Sequence, residues 1–137
     1  MIICGFAGIG KSTLCKNKAM WIDLESTPFE KDWDRYATVA MHMDKQGYNV
    51  MLSCHADLRK KLHEKGARYF VVLPFPSLKD EYLNRYKKRG NDSSFIESIE
   101  KNWNAYTECL EWEYPLYLRY GQYISDVAGY LNSWKKE

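Results

Sequence analysis

The sequence predicts an α/β fold with a parallel sheet, because strand-like apolar runs alternate with amphipathic helical segments along the chain. The clearest strand, residues 68–73, is a continuous apolar run rich in β-branched and aromatic residues, and it ends at Pro74. The clearest helix, residues 31–46, has apolar side chains at i, i+3, i+4 and i+7 and ends at Gly47. Strands that alternate with helices favour parallel pairing through right-handed crossovers.

The remaining elements follow the same alternation within one domain, residues 1–137, which is long enough for a single packed core. We predict strands at 1–4, 20–25, 48–53, 68–73 and 116–120, and helices at 12–19, 31–46, 56–65, 77–89, from 92 or 93 onward, and at 122–134. The buried positions expected in the last two helices are Ile96, Ile99, Trp103, Tyr106 and Leu110, then Ile124, Val127, Ala128 and Leu131.

Charge and composition exclude several classes of partner. The chain has 20 basic and 18 acidic residues, a net charge of +2, so no overall field attracts nucleic acid or an anionic membrane. No apolar run approaches the roughly 18 residues of a membrane-spanning helix, and no basic leader precedes the first strand. The cysteines are scattered, as is typical of free thiols in a reducing compartment, so we expect a cytoplasmic protein. They are Cys4, Cys15, Cys54 and Cys109.

The most specific motif is GFAGIGKS at residues 5–12, which fits the phosphate-loop pattern G-x-x-x-x-G-K-[ST]. At ordinary residue usage, four such fixed positions occur by chance in roughly 1% or fewer of chains this long. The motif follows an apolar strand and precedes a helix, which is the context it requires. The backbone N–H groups around Gly8, Ile9 and Gly10 are expected to form a nest for nucleotide phosphates at a helix N-terminus.

Three side chains that follow the glycines are expected to complete this site. Lys11 would reach the β- and γ-phosphates, and the Ser12 hydroxyl would bind Mg²⁺. Thr13, one step further along the helix, can reach the α-phosphate. The motif therefore predicts a site for ATP and Mg²⁺.

Two carboxylates, Asp23 and Glu25, close the second strand at i and i+2, on the same side of the strand. Ligands of parallel sheets bind beyond the carboxyl ends of the strands, which directs attention to this position. A carboxylate facing the phosphate loop can accept a proton from an acceptor hydroxyl or hold a Mg²⁺-bound water. The alternative is a solvated strand end, or a partner for a neighbouring lysine.

Three basic or titratable residues follow the second and third strands and are candidates to bind the acceptor. Arg35 can clamp an anionic acceptor, or it is a surface arginine on an amphipathic helix. His55 can hydrogen-bond the acceptor or act as a base, or it caps a helix. Arg59 is a candidate to point into the cleft.

A basic segment follows the fourth strand and ends at Gly90. Arg85 and Arg89 are four residues apart and share one helix face, where we expect no local partner for them. That arrangement suits a mobile lid, at about residues 77–95, whose arginines neutralise charge on the transferred phosphoryl group. The alternatives are a solvated basic helix or a contact with nucleic acid.

Taken together, these motifs resemble the P-loop kinases of small molecules, the group that contains nucleoside monophosphate kinases, shikimate kinase and gluconate kinase. The resemblance rests on the loop at 5–12, the Asp23-x-Glu25 pair and the basic segment 85–90. Residues 118–126 also resemble the last strand and helix of monophosphate kinases. The resemblance implies a three-layer P-loop NTPase fold with a five-stranded parallel sheet in the order 2-3-1-4-5, MgATP as donor, and a closing lid.

By position, the resemblance also implies roles for individual residues. Arg35 and Arg59 match arginines that grip the phosphate of the acceptor, and Arg85 and Arg89 match lid arginines. Arg119 and Tyr120 lie where the adenine is received. The compact size is similar to that of short adenylate-kinase-like proteins carried by phages, which would place the chain in the host cytoplasm.

One feature departs from the family pattern, because no apolar strand ends in a Walker-B aspartate. The third strand ends in Ser53, Cys54 and His55, so Mg²⁺ would depend on Ser12, the phosphates, water and Asp23. A fold of this kind does not by itself name the acceptor.

The sequence therefore predicts an ATP-dependent phosphotransferase whose favoured acceptor is a (deoxy)nucleoside monophosphate. A shikimate- or gluconate-type kinase is an alternative, as is a kinase of nucleoside or nucleic-acid hydroxyls, although the near-neutral charge disfavours nucleic acid. A different class also stays open, namely a regulatory protein that binds ATP without catalysis.

Overall fold

The computed structural model describes residues 1–16 and 18–134, and within them the strands and helices alternate as predicted. Asn17, which falls in the first predicted helix, lies outside the described residues. The strands are β1 (Ile2–Gly5), β2 (Trp21–Leu24), β3 (Asn49–Leu52), β4 (Phe70–Pro74) and β5 (Leu116–Leu118). The helices are α1 (Lys11–Cys15), α2 (Trp33–Lys45), α3 (Ala56–Glu64), α4 (Lys79–Arg89), α5 (Ser93–Lys101), α6 (Trp103–Tyr106) and α7 (Ala128–Trp134).

The five strands form one parallel sheet in the order β2-β3-β1-β4-β5, which confirms the predicted α/β class and strand order. The central strand β1 is buried on both faces because its side chains alternate between two hydrophobic clusters. Ile3 contributes to the cluster under α1, α4 and α7, whereas Ile2 and Cys4 contribute to the cluster under α2 and α3. Helices therefore cover both faces of the sheet.

Parallel pairing brings the carboxyl ends of all five strands to one edge of the sheet. The chain leaves this edge at Gly5, Leu24, Leu52, Pro74 and Leu118. The residues that follow those positions are the ones that can contribute to a site there, as expected for open parallel sheets.

Two predicted helices differ from the structure at their ends. The helix expected at 12–19 ends at Cys15, because Lys16 is extended and the chain turns through Met20, at φ 66°, to enter β2. The helix expected from 31 begins at Trp33, where the side chain of Asp32 accepts a hydrogen bond from the Arg35 N–H as an N-cap.

The segment that follows residue 92 also differs, because the helix breaks at Asn102. Asn102 has φ −107° and ψ 15°, and its side-chain amide donates to the carbonyl of Ser98. The break separates α5 from α6 and turns Trp103 into the core, where it is 2% exposed. Tyr106 is 42% exposed, so its predicted burial is wrong.

The last part of the chain is less regular than predicted. β5 ends at Leu118 instead of residue 120, and a 3₁₀ turn, Ile124–Val127, precedes α7. Ile124 and Leu131 are fully buried, as expected, whereas Val127 is partly buried. The longest helix, α2, has 13 residues, and none in the described ranges is long and apolar enough to cross a bilayer.

Candidate functional site

The predicted phosphate loop lies between β1 and α1 and turns at two glycines. Gly8 has φ 88° and Gly10 has φ 92°, a left-handed conformation that side chains other than glycine rarely adopt. The space beside both is also occupied. A Cβ on Gly8 would lie 2.8 Å from the ring of Tyr86, and one on Gly10 would lie 3.3 Å from the ring of Tyr123.

The carbonyl groups of this loop are all bonded. Each carbonyl from Gly5 to Gly10 accepts a hydrogen bond from elsewhere in the protein. The donors are Lys11 Nζ for Gly5 (2.7 Å) and Phe6 (3.1 Å), Tyr86 Oη for Ala7 (2.7 Å), Arg85 for Gly8 (2.9 Å), Ile124 N for Ile9 (2.8 Å) and Leu14 N for Gly10 (3.0 Å). These hydrogen bonds fix the carbonyl oxygens of the loop in position. They also partly offset the negative partial charge of those oxygens, which reduces the repulsion of a bound anion.

Several N–H groups of the same loop are open by contrast, whereas those of Phe6 and Ile9 donate to the carbonyls of Val72 and Phe6. Within residues 1–16 and 18–134, the N–H groups of Gly8, Gly10, Lys11 and Ser12 donate no hydrogen bond. Gly10 is the N-cap of α1, so the first N–H groups of that helix have no carbonyl to bind within it. Bonded carbonyls beside open N–H groups at a helix N-terminus form an arrangement that binds phosphate.

Lys11 lies at the base of the loop, with its ammonium group on the carbonyls of Gly5 and Phe6. Burial lowers the pKa of Lys11, the positive charge of Arg89 acts in the same direction, and the carboxylate of Asp23 opposes both. The ammonium of Lys11 therefore lies within electrostatic range of Asp23 and Arg89.

Asp23 is partly buried near the end of β2, whereas Glu25 is exposed beyond it. Burial raises the pKa of the Asp23 carboxyl, the negative charge of Glu25 adds to that rise, and Lys11 opposes it. The hydroxyl-bearing residues Ser12 and Thr13 are exposed on α1. A carboxylate with a raised pKa near a lysine is a candidate proton acceptor.

The raised pKa of Asp23 leads to a testable prediction for Asp23→Asn. The folded carboxyl has a pKa above its ordinary value of 3.8, so it destabilises the fold at pH values above 3.8 and not below. We expect Asp23→Asn to increase the free energy of unfolding at pH 7. This gain should shrink as the pH falls and disappear below the ordinary pKa of 3.8, where the carboxyl of the unmodified protein is protonated in both states. If Asp23 is the proton acceptor, the same change lowers turnover about a hundredfold.

Urea unfolding at pH 7 and pH 3.5, with turnover measured on the same samples, tests this prediction. Glu97→Gln is the control for stability, because Glu97 is exposed and does not contribute to the raised pKa of Asp23. A loss of stability in Asp23→Asn at pH 7 would contradict the argument.

His55 lies between β3 and α3, and Arg35 lies in the first turn of α2. The imidazole of His55 packs on the indole of Trp33, with ring centroids 4.7 Å apart. Burial lowers the pKa of His55, Asp57 opposes this effect, and the charge of Lys11 adds to it. Arg35 is exposed, with its guanidinium 5.5 Å from the centre of the Phe29 ring. Both remain candidates to contact an acceptor.

Arg59 is placed differently from the prediction, since it does not point into an open cleft. Its side chain is 2% exposed, and its guanidinium lies 3.3 Å from the carboxylate of Glu113, which is also 2% exposed. It also donates weakly to the carbonyl of Glu108 and to Cys54 Sγ. The loop before β5 covers α3 and encloses this pair, so the prediction that Arg59 faces the cleft is wrong.

Arg85 also differs from the prediction, because it has several partners. It is 8% exposed and forms an ion pair of 2.6 Å with Glu81, four residues earlier on α4. The expectation that nothing on this face pairs with it is therefore wrong. α4 buries Tyr82, Leu83 and Tyr86 and is part of the core.

The exposed arginine of α4 is Arg89, in the last turn. It donates to the side chain of Asn91 at 3.0 Å and lies 5.4 Å from the centre of the Tyr86 ring. Gly90, at φ 77°, ends the helix. Whether residues 77–95 move on binding stays a prediction.

Arg119 and Tyr120 follow β5 at the same edge of the sheet and are both exposed. The N–H of Arg119 is held by the side chain of Gln122. Tyr120 is 79% exposed and lines an open groove of about 580 Å³ between α4 and α5. Their predicted role as the adenine site stays a prediction.

Several residues around the loop were not anticipated. Tyr86 and Tyr123 pack against its glycines, and the carbonyl of Gln122 binds Arg85. None of these three contacts has a signal in the sequence. The pair of Arg85 with Glu81, described above, does have one, namely opposite charges four residues apart.

Comparisons with known proteins do not assign the chain to a family. No protein-family model matches it, and no curated protein matches it.

Proposed function

We propose that this protein has the P-loop NTPase fold and transfers the γ-phosphoryl group of ATP to a small acceptor, a (deoxy)nucleoside monophosphate being favoured. The observation that carries the proposal is the loop between β1 and α1, in which the carbonyls are bonded and the N–H groups of Gly8, Gly10, Lys11 and Ser12 have no acceptor among the described residues. That donor set fits a chain of phosphates. The proposed location is the cytoplasm.

On the donor side, the N–H groups bind phosphate oxygens, and the Lys11 ammonium moves from the carbonyls of Gly5 and Phe6 to the phosphates. Ser12 and Asp23 are the residues that would hold Mg²⁺, which supplies charge neutralisation between phosphates. The described residues contain no group of three or more His, Cys, Asp or Glu side chains that could hold a metal. This fits Mg²⁺, which proteins bind through one or two side chains with phosphates and waters.

On the acceptor side, Arg35 is the exposed cation that can bind an acceptor phosphate, and His55 and Glu25 can hydrogen-bond the rest of the molecule. Asp23 accepts the proton of an attacking hydroxyl, and Arg89, whose positive charge acts on Lys11, neutralises charge on the transferred phosphoryl group. Catalysis by such groups consists mainly of positioning and charge neutralisation.

A second candidate is a kinase that acts on a neutral hydroxyl compound, such as a nucleoside or a hydroxy acid. The burial of Arg59 favours it, because only one of the two arginines predicted to grip an acceptor phosphate remains exposed. The raised pKa of Asp23 also suits proton removal from a neutral hydroxyl.

The test is an ATP-consumption screen with Mg²⁺ against all ribo- and deoxynucleoside monophosphates, nucleosides, shikimate, gluconate and a 5′-hydroxyl oligonucleotide, with Lys11→Ala as the blank. We expect turnover with a monophosphate, and a loss of about a hundredfold or more in Lys11→Ala because the loop lysine is missing. Arg35→Gln should then raise the KM for that acceptor.

Other outcomes identify the alternatives. Turnover only with a neutral acceptor would transfer the assignment to the second candidate. ATP binding without turnover for any acceptor would overturn both kinases and leave the non-catalytic regulatory protein.

A further inference from the structure

Arg85 connects three parts of the protein through one buried guanidinium group. One terminal nitrogen donates to the carbonyl of Gly8 at 2.9 Å. The other donates to Glu81 at 2.6 Å and to the carbonyl of Gln122 at 2.8 Å. The rings of Tyr82 and Tyr123 lie 4.3 and 4.0 Å from the guanidinium carbon. These contacts are typical of a structural arginine held by hydrogen bonds and aromatic faces.

Tyr86, the next residue on α4, acts on the adjacent peptide of the loop. Its hydroxyl donates to the carbonyl of Ala7 at 2.7 Å. In a planar trans peptide the C=O and N–H groups point in opposite directions. A carbonyl of Ala7 that is held toward α4 therefore turns the N–H of Gly8 away from α4. The bond from Arg85 fixes the next peptide, in which the N–H of Ile9 donates to the carbonyl of Phe6 at 3.4 Å and closes the turn of the loop.

The segment after β5 completes the arrangement. The N–H of Ile124 holds the carbonyl of Ile9 at 2.8 Å, which turns the N–H of Gly10 in the same way. Glu81 holds the N–H of Gly121 at 2.8 Å while it pairs with Arg85. Hydrogen bonds from Arg85, Tyr86 and Ile124 thus join the loop to α4 and to residues 121–124.

We propose that Arg85 and Tyr86 are positioning residues that hold the phosphate loop in its binding shape by bonding its carbonyls. Arg85 acts through Gly8 and does not contact the phosphoryl group that is transferred. This differs from the role expected of a lid arginine, which Arg89 can still perform. The inference rests on the proposed function only in requiring that the loop binds phosphate.

The burial and bonding of Arg85 support this assignment over direct contact with phosphate. The side chain is 8% exposed, and both terminal nitrogens already donate to oxygen atoms of the protein. To reach a phosphate it would have to leave Glu81 in a nearly buried position without its cation, which is unfavourable.

The first experiment compares Arg85→Lys with the unmodified protein by calorimetric titration of ATP and, separately, of inorganic triphosphate. Lysine keeps the charge but cannot make the forked contacts of a guanidinium. We expect both ligands to bind about tenfold more weakly, a change of about 1.4 kcal/mol, because the loop loses a hydrogen bond from a charged group. KM for ATP should rise more than kcat falls. An unchanged affinity with a large fall in kcat would overturn the proposal.

The second experiment uses Tyr86→Phe, which removes one hydroxyl and little volume. Amide hydrogen exchange at Ile9, whose N–H donates to the carbonyl of Phe6 within the loop, should become faster. The affinity for inorganic triphosphate should fall about threefold to tenfold. The control is Tyr82→Phe, one turn earlier in the same core, because its hydroxyl bonds no loop carbonyl in the described part of the chain. Equal effects of the two substitutions, with matched thermal stability, would contradict a positioning role.

The two readouts separate the failure of this inference from the failure of the proposed function. Triphosphate affinity and amide exchange do not depend on finding an acceptor. If no acceptor supports turnover, a weaker affinity for triphosphate in Arg85→Lys and Tyr86→Phe still supports the positioning role. Affinities equal to that of the unmodified protein in both variants would overturn it.

Discussion

Replacing Glu113 with alanine is expected to destabilise the protein by about 3–5 kcal/mol, because it would leave the buried guanidinium of Arg59 without a counter-charge. Both side chains are 2% exposed. Glu113 also accepts hydrogen bonds from the N–H of Leu110 at 2.7 Å and from the hydroxyl of Tyr69 at 2.6 Å. Removing one carboxylate therefore leaves a buried cation and two polar groups without their partner.

Urea unfolding of Glu113→Ala against Glu111→Ala measures this effect. Glu111 is exposed two residues earlier in the same loop, so its substitution controls for the loss of a negative charge. The double variant Arg59→Met with Glu113→Leu should recover only the part of the loss that comes from the unpaired cation, because well-packed apolar residues often replace a buried ion pair without cost. The N–H of Leu110 and the hydroxyl of Tyr69 still lose their acceptor. A loss below about 1 kcal/mol, typical of exposed pairs, would mean that Arg59 readily reaches water.

Replacing Gly8 with alanine is expected to weaken ATP binding by about a hundredfold or more. The new Cβ would lie 2.8 Å from the ring of Tyr86, which bonds the carbonyl of Ala7. Either the loop or Tyr86 has to move, and each movement turns N–H groups of the loop away from the phosphates. The loss of two charge-assisted hydrogen bonds, each worth about 1.5–3 kcal/mol, accounts for a change of this size.

Gly66→Ala is the matched control, because it separates backbone strain from steric displacement. Gly66 has φ 74°, close to the 88° of Gly8, but no heavy atom lies within 4 Å of its Cβ position. Both substitutions place alanine in the left-handed region, at a cost of about 1–2 kcal/mol. Stability should therefore fall in both, and the Kd for ATP should rise only in Gly8→Ala. An unchanged Kd in Gly8→Ala would contradict the assignment of the loop.

The fold was predictable because the hydrophobic pattern of each segment agrees with the place of that segment in the sheet or in the helical layers. The continuous apolar run at 68–73 contains most of the buried strand β4, and a layer of helices packs against each face of β1. Tyr106 was misplaced because the helical period was extended across Asn102, where the helix breaks. Such a break depends on how Trp103 packs in the core, which a one-dimensional pattern does not contain.

The site was predictable only in part. The glycine loop and Asp23 lie where the motif and the strand ends indicated. Arg59 was misjudged because its partner Glu113 is far away in the sequence and sits in an irregular loop with no periodic signal. The pair of Arg85 with Glu81 was within reach of sequence reasoning, since opposite charges four residues apart on a helix attract each other.

The contact of Ile124 with Ile9 has a consequence for how the molecule is made. A ribosome releases the glycine loop early, but the donor for the Ile9 carbonyl, and the Gln122 carbonyl that Arg85 binds, emerge only after β5. A nascent chain that stops at β4 carries the whole motif without the contacts that shape it. On the proposed function, affinity for nucleotide phosphate is acquired late in synthesis, and bound nucleotide would stabilise only those molecules in which the loop and residues 122–124 are in contact.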